Sequence, residues 1–405
     1  MSTDATAVQP EPALPESFVG RTLDNIRGGT LGSWPVLIGL AVIVIFFSFK
    51  AENFLSPGNF SNIITQMAGT TLLAYGVVFV LLIGEIDLSI SYISGIAGVV
   101  VAKLTVPDGN EVAGIVAILL AVAVCALIGA FQGSFVAFIG VPAFVVTLAG
   151  YQIWQGVIQK SIEAEGVIVI QDNTVNNTAN YFFSEKAGWI LAAVVLGIYI
   201  ASVVGTFVSH RRHGVAVRDP WLLVAKAIAV VAATVFVVVV SNRDRGVPFV
   251  LLLMIASLLV LTFVAKRTTF GRHVYAVGGN AEAARRAGIN VARVRLIVFM
   301  ISGVMAGIGG VVLAARLNSV DLNAGGGTLL IDAIAAAVIG GTSLFGGRGE
   351  VKDALFGALV IATIANGLNT LNLTQGVIFI TTGCILLFAV TLDTVLRRRQ
   401  RKAGR

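Results

Sequence analysis

Long runs of apolar residues, separated by short polar segments, constrain this chain more than any other feature. Hydrophobic residues make up 57% of the 405 residues and charged residues only 12%, whereas a soluble domain is about a quarter charged. In lipid, only helices and closed barrels satisfy their own backbone hydrogen bonds, and a helix needs about 20 apolar residues to cross. The sequence therefore predicts an all-α polytopic membrane protein.

Twelve membrane spans are expected from these runs, some of them short or broken. They form a membrane domain over residues 34–396, between a polar tail at 1–33, expected to be largely disordered and cytoplasmic, and a basic tail at 397–405. The expected spans are 35–49, 61–84, 88–103, 113–139, 141–158, 188–208, 222–240, 247–265, 296–315, 329–339, 354–371 and 376–392.

The positive charges are concentrated beside the apolar runs. The formal net charge is +7, and Lys and Arg cluster at 210–220, 266–295 and 397–405. Loops with such an excess stay on the cytoplasmic side of a bilayer, and even numbers of expected spans separate these clusters. The charge therefore indicates topology, with both termini cytoplasmic, rather than a nucleic-acid partner.

The segment 266–295 is basic, and its only acid is Glu282. Asn280 suits a helix start because its side chain can accept from free backbone N–H groups, and Gly288 suits the left-handed residue after a helix end. Residues 281–287 between them are mostly good helix formers. We expect a two-turn docking helix on the cytoplasmic face. A plain positively charged loop is the alternative.

Three acidic residues, Glu85, Asp87 and Asp332, lie within or beside expected spans. Charged groups at membrane depth are costly and usually face a cavity, a partner or water, so a polar pathway or a proton relay is one interpretation. Capping of helix N-termini is the other, and transporters build sites from such capped half-helices. Both interpretations stay open.

Two polar segments between the spans carry further signals. A glycine-rich stretch at 340–349 contains Thr342 and Ser343. Irregular backbone is tolerated at membrane depth only where it is buried or lines water, which makes both residues candidates for a pathway or gate; a simple cytoplasmic loop is the alternative. In the acidic segment 159–187, weak alternation at 167–170 allows a short hairpin.

The sequence lacks the common motifs of catalysis and nucleotide binding. It has no Gly-x-x-x-x-Gly-Lys-Ser/Thr and no His-Glu-x-x-His, so neither a phosphate-binding loop nor that zinc site is expected. Its three histidines, His210, His213 and His273, fall in expected cytoplasmic loops. We expect no catalytic residue, cofactor or metal, and therefore a protein that is not an enzyme.

Three stretches together resemble the permease subunit of bacterial monosaccharide ABC importers of the ribose and xylose group. They are GEIDLS at 84–89, GRHVYAVGGNAEAARRAGI at 271–289 and DAIAAAVIGGTSLFGGRG at 332–349. They keep the family's order and roughly its spacing, and the resemblance covers residues 35–396. An extra pair of spans at about 210–246 resembles the longer, xylose type. Leu330 departs from the family, because many relatives carry an acid there.

This resemblance implies a homodimeric permease in the bacterial inner membrane, working with a cytoplasmic ATPase and an extracytoplasmic sugar-binding protein. It implies that the docking helix contacts the ATPase, through Asn280, Glu282, Ala283, Arg285, Arg286 and Gly288. We therefore expect ATP-driven import of a monosaccharide, with D-xylose favoured. Ribose, galactose or a nucleoside are alternative cargoes, and a proton-coupled transporter with Asp87 and Asp332 as its relay is an alternative mechanism.

Overall fold

The computed structural model describes residues 34–107, 111–212 and 220–374, and part of the chain between 376 and 391. The expected tails at 1–33 and 397–405, most of the loop at 210–220 and much of the last span lie outside the described residues. The helices are α1 Trp34–Lys50, α2 Pro57–Leu82, α3 Ile90–Leu104, α4 Gly114–Ser134 with a π-turn at Phe135–Ile139, α5 Ala143–Ser161, α6 Asn173–Asn180, α7 Glu185–Arg212, α8 Pro220–Asn242, α9 Phe249–Arg267, α10 Thr269–Gly279, α11 Ala281–Arg286, α12 Val291–Leu317, α13 Leu329–Gly340 and α14 Val351–Thr370. The strands are β1 Val167–Val169, β2 Phe182–Phe183, β3 Val247–Pro248 and β4 Ser319–Asp321.

The helices account for the expected polytopic architecture. Seven of them in the described part are long and apolar enough to cross a membrane, namely Pro57–Leu82, Gly114–Ile139, Glu185–Gly205, Val224–Asn242, Phe249–Arg267, Val291–Leu317 and Val351–Thr370. Three shorter apolar helices, α1, α3 and α13, join them, as do α5 and the helical residues after 376. The all-α prediction, with some short spans, is confirmed.

Helix α12 is the central element, packing against α2, α3 and α4. Its glycines allow this because they bring backbones into contact, as small residues do in membrane helix pairs. A Cβ at Gly303 would collide with the Cys125 carbonyl of α4, and one at Gly310 with the Ser94 carbonyl of α3. The glycine face of α12 is therefore an internal packing surface.

Helices α3 and α13 both begin inside the bundle. Ser302 of α12 contacts the loop before α3, and this residue lies about 16 Å from the start of α12 at the helical rise of 1.5 Å per residue. The loop before α13 packs through Ala324 on Gly95 of α3. The neighbouring Ser94 contacts Gly310 of α12, and Gly310 lies about 10 Å before the C-terminal end of α12. Both helices are therefore half-helices of the kind found in transporters.

Two small antiparallel sheets lie at the end of the bundle opposite α10 and α11. Strand β1 pairs with β4, with Ile168 opposite Val320, and β2 pairs with β3. The short hairpin that the alternation at 167–170 allowed does not form, because β1 pairs with the distant strand β4 instead. Ile168 and Val320 are both buried, so β1 gains an apolar partner from a distant strand that its own neighbours do not supply. Helix α6 follows β1, where Asp172 accepts from the Val175 N–H.

Helices α7 and α8 form a peripheral pair, and only α8 lies within the region expected to be inserted, about 210–246. They pack mainly on each other, with α8 also reaching α2. Their outward faces carry large exposed apolar side chains, such as Ile198 and Phe236. Lipid-facing surfaces have this composition, so the pair extends the rim of the bundle without entering its centre.

Candidate functional site: a docking helix and a polar cavity

Helix α11 is built by the caps that the sequence predicts. The Asn280 side chain accepts from the Ala283 N–H at 2.9 Å, and the Asn290 side chain accepts from the Arg293 N–H at 2.9 Å to start α12. Gly288 between them has φ +83°, a left-handed conformation that favours glycine. The chain therefore leaves α11 and enters α12 through a sharply defined corner.

Most of α11 is exposed. Ala284 is buried and holds the helix against its neighbours, whereas Glu282, Ala283, Arg285 and Arg286 face solvent. The Glu282 carboxylate pairs with Arg285 at 2.9 Å and with Arg286 at 3.2 Å. Exposed pairs of this kind contribute little to stability, so these charges are available to a partner.

Helix α10 fixes α11 to the bundle. A Cβ at Gly278 would collide with the Leu82 carbonyl at the end of α2. The Tyr275 hydroxyl donates to the Gly349 carbonyl at 2.8 Å. Burial, reinforced by Glu350 and Asp353, raises the pKa of Tyr275 to about 12, so the hydroxyl keeps its proton and remains a donor at neutral pH.

The glycine-rich loop, residues 340–349, packs against this same end of the bundle. The Gly347 N–H donates to the Leu82 carbonyl at 2.9 Å. Thr342 and Ser343 are buried; the Ser343 N–H donates to the Arg348 carbonyl and its Oγ accepts from the Phe345 N–H. The Ser343 side chain therefore braces the loop from within, whereas the buried Thr342 hydroxyl makes no hydrogen bond to the described residues.

Ion pairs lock the start of α14 to the end of α9. The Glu350 carboxylate lies 2.7 Å from Lys266 and 2.7 Å from Lys352. Burial alone would raise the pKa of Glu350, but the hydrogen bonds and charges of Lys266 and Lys352 outweigh it and lower that pKa below its ordinary value. The basic end, meaning the end that carries α10, α11 and the glycine-rich loop, is thus held by paired charges.

Asp87 is fully buried at the start of α3. Its carboxylate accepts from the Ser89 N–H at 3.0 Å, the Ser89 hydroxyl at 2.6 Å and the Ser302 hydroxyl at 2.8 Å. Gln132 lies 2.7 Å from the Ser89 Oγ. The atom of Gln132 that faces Ser89 is the amide oxygen Oε1, so the single Ser89 proton is shared between two acceptors, Asp87 and Gln132. Asp87 therefore caps a helix that starts inside the bundle.

Glu85 lies two residues earlier and pairs with Arg295 of α12 at 3.0 Å. Both side chains are largely buried, with 19% and 27% of their surfaces exposed. The loop between α2 and α3 is thus tied to α12 by an ion pair near the basic end and by Asp87 farther in.

Asp332 lies in another place, in the first turn of α13. Its carboxylate accepts from the Thr328 hydroxyl at 2.7 Å and lines a cavity of about 250 Å³ with Arg316 of α12. Arg316 lies about 21 Å along α12 from Ser302, the partner of Asp87. The structure therefore separates Asp332 from Asp87, Glu85, Thr342 and Ser343.

Comparison with known proteins places the chain among permeases. Residues 59–391 match the family model described as branched-chain amino acid transport system / permease component. The xylose transport system permease proteins of Haemophilus influenzae and Escherichia coli K12 are 36% and 35% identical over 379 and 378 residues, covering 93% of this chain and 99% and 95% of their own lengths. The D-allose transport system permease protein of Escherichia coli K12 is 32% identical over 360 residues, 89% of this chain and 90% of that relative. No solved structure matches the chain significantly.

The chain belongs to this permease family. It is a membrane subunit of an ABC importer and not an enzyme, because the family consists of transport subunits that leave ATP hydrolysis to a separate chain. The importer implies an ATPase, a sugar-binding protein and the lipid bilayer as partners of the permease. Among the described residues, no group of three His, Cys, Asp or Glu side chains is placed to hold a metal ion.

Several parts of the permease's site were not predicted from the sequence. Helix α10 buries Val274 and Val277, three residues apart, and this spacing is the signal that was available. Phe345, with 70% of its surface exposed at the basic end, is an exposed aromatic group beside α10. Arg316 follows an apolar run like an ordinary flanking residue, so only the fold reveals that it shares a cavity with Asp332.

Proposed function

We propose that this permease imports a pentose, D-xylose, and that α11 transmits the movement of the partner ATPase. The observation that carries the proposal is the structure of α11: a capped, exposed helix anchored through α10 to the ends of α2 and the glycine-rich loop. A rigid, anchored helix transmits a displacement of the ATPase to the helical bundle, whereas an unanchored loop would deform without moving the bundle.

The docking surface on the ATPase side consists of Asn280, Glu282, Ala283, Arg285, Arg286 and Gly288. The exposed Phe345 adds an apolar anchor at the same end, of the kind that often dominates binding energy at interfaces. This assignment makes the basic end cytoplasmic, in agreement with the positive-inside rule, and places both termini in the cytoplasm of a bacterial cell with the permease in its inner membrane.

The choice of D-xylose rests on the relatives. The xylose permease of Haemophilus influenzae is similar to this chain over 93% of its length, while the D-allose relative aligns over a smaller share and with lower identity. We propose that a sugar-binding protein docks at the opposite end, where residues 159–187 lie. A second copy of the permease completes the channel, because such importers work as dimers.

The candidate residues divide into two groups in this proposal. Asp332 belongs to the sugar pathway. Glu85, Asp87, Thr342 and Ser343 belong to the gate at the basic end. Glu85 and Asp87 join the α2–α3 loop to α12, Ser343 braces the glycine-rich loop, and Thr342 is buried in that loop. The separation of Asp87 from Asp332 disfavours a direct proton relay between them, which the secondary-transporter alternative needs.

Uptake of labelled sugars into proteoliposomes tests this function. The full complex, with ATPase and binding protein, is expected to take up D-xylose only when ATP is supplied. Ribose, D-allose, galactose and a nucleoside serve as competing cargoes in parallel assays. Uptake without ATP that follows an imposed proton gradient would contradict the ABC mechanism, and preferential uptake of another cargo would contradict the choice of D-xylose.

Substitution on α11 tests the coupling role. Arg285→Ala is expected to reduce sugar uptake and stimulated ATP hydrolysis together, because it removes an exposed charge from the docking surface. Arg243→Ala is the matched control, an exposed arginine at the opposite end, and it is expected to leave ATP hydrolysis unchanged. Equal behaviour of the two variants would count against α11 as the coupling contact.

A further inference from the structure

We propose that the cavity between α2, α12, α13 and α14 is a binding subsite for a neutral sugar inside the permease. Its polar lining comes from four helices, and the residues concerned are Gln66, Thr70, Arg316, Asp332 and Asn369. This inference rests on the proposed sugar transport, and names a place where the cargo is held on its way through.

The two charges in the cavity leave room for a ligand. Arg316 and Asp332 line the same space, yet within the described part of the chain no ion pair joins them. One Asp332 oxygen accepts from Thr328, which leaves the other free to accept from a ligand. One positive and one negative group also cancel in net charge, so the cavity suits a neutral polyhydroxylated molecule better than an anion or a cation.

The chemistry of the lining matches sugar hydroxyls. A carboxylate accepts, a guanidinium donates, and the amides of Gln66 and Asn369 do both. The apolar part of the wall comes from Met67 of α2 and from α14, through small residues such as Ala358 and Ala362. The volume of about 250 Å³ equals about eight waters at roughly 30 Å³ each, which is the scale of a pentose.

The position of the cavity also points to a passage. Helix α13 has 12 residues, about 18 Å at the helical rise, whereas the hydrocarbon layer is about 30 Å thick. Its other end reaches the basic end, where Gly340 packs on the Asp353 carbonyl of α14. Asp332, in the first turn, therefore stands below the far surface, at a depth where unpaired polar groups are costly unless a cavity or ligand serves them.

Protection of an introduced thiol by sugar tests occupancy of the cavity. In a Cys384→Ser background, which removes the exposed native cysteine, Thr70→Cys is labelled with a small methanethiosulfonate in the reconstituted complex. Saturating D-xylose is expected to slow its labelling severalfold. Asn62→Cys, at an exposed position in the first two turns of the same helix, is the control and is expected to be unaffected by sugar.

Repeating the thiol labelling in the presence of ribose, D-allose or galactose tests the subsite independently of the proposal that the cargo is D-xylose. Protection of Thr70→Cys by whichever sugar the complex transports supports the subsite, even if that sugar is not D-xylose. Absence of protection by the transported sugar, or equal protection of Asn62→Cys, would overturn it.

Transport by variants of the charged pair tests the role of the subsite. Asp332→Asn and Arg316→Gln are each expected to lower sugar uptake by about tenfold or more, the effect of losing a hydrogen bond to a charged group. ATP hydrolysis stimulated by the loaded binding protein is expected to stay near the wild-type rate, because coupling occurs at the other end. Asp321→Asn, an exposed acid in β4, is the control.

Two results of the variant assay would contradict the subsite. Uptake that stays at the wild-type level in both Asp332→Asn and Arg316→Gln would show that the pair does not contact the cargo. A parallel loss of uptake and stimulated ATP hydrolysis would make the pair part of the coupling machinery instead.

Discussion

The two ends of this permease use charge in opposite ways. At the basic end, Glu85 meets Arg295, and Glu350 meets both Lys266 and Lys352. Near the opposite end, Arg316 and Asp332 face a common cavity without pairing. Paired charges define a fixed geometry, which the coupling role proposed for the basic end needs. Charges that line a cavity without pairing with each other keep their hydrogen-bonding capacity for a ligand.

The acid residues give the sharpest test of this contrast. Asp87→Ala is expected to lower the free energy of unfolding by about 3 kcal/mol, because three buried donors lose their acceptor. Asp332→Ala is expected to cost less than about 1 kcal/mol, because it removes one contact to Thr328 beside a cavity. Thermal unfolding of the detergent-purified permease measures both. Equal losses would remove the distinction between the two acids.

Two neighbouring glycines test how tightly the basic end is assembled. Gly278→Ala is expected to cost about 2 kcal/mol, because its Cβ would collide with the Leu82 carbonyl and the backbone must shift. Gly279→Ala meets no atom within 4 Å and is expected to be neutral or slightly stabilising. The melting temperatures of the two variants decide the matter. A melting temperature of Gly278→Ala equal to that of wild type would mean that α10 does not pack closely against the end of α2.

The ion pairs of Glu350 predict a pH dependence confined to the basic end. The pKa of Glu350 in the folded protein lies below its ordinary value of 4.5. Its ionised carboxylate therefore contributes fully to the free energy of unfolding above pH 4.5, and this contribution is lost as the pH falls through the lowered pKa. The contribution is expected to be below about 1 kcal/mol, since the group is partly exposed. The difference in melting temperature between wild type and Glu350→Gln should shrink below pH 4.5. A difference that stays constant would contradict the assignment.

The smallest expected effect on stability is that of the docking helix. Glu282→Ala removes two exposed ion pairs and is expected to change the free energy of unfolding by less than about 0.5 kcal/mol. The same variant should still disturb stimulated ATP hydrolysis. A large loss of stability would instead mean that Glu282 stabilises the fold. An effect on ATP hydrolysis could then no longer be assigned to docking alone.

The part of the site that depends on local chemistry could be predicted from the sequence. Asn280 and Asn290 cap the helices that follow them, and Gly288 takes the left-handed conformation. Caps involve only residues within one turn, so the printed sequence holds all the information they need. The apolar runs likewise predicted the polytopic helical fold, because lipid leaves few alternatives.

The features that depend on distant contacts could not be predicted in the same way. The pairing of β1 with β4 joins segments about 150 residues apart in sequence, and no local pattern records it. The neighbourhood of Arg316 and Asp332 arises only when α12 and α13 pack together. The Glu85–Arg295 pair is of the same kind: the sequence marks Glu85 as an acid beside a span, but nothing in it identifies Arg295 as its partner.

The most direct test of the account is chemical cross-linking of α11 to the ATPase. Ala283→Cys, in the Cys384→Ser background, is expected to form an adduct with the ATPase subunit in the assembled complex, because Ala283 is exposed on the docking surface. Asn62→Cys, at the opposite end, is expected to form none. An adduct with the ATPase at Asn62→Cys, or an adduct of Ala283→Cys with the sugar-binding protein, would contradict the proposed orientation and the coupling role of α11.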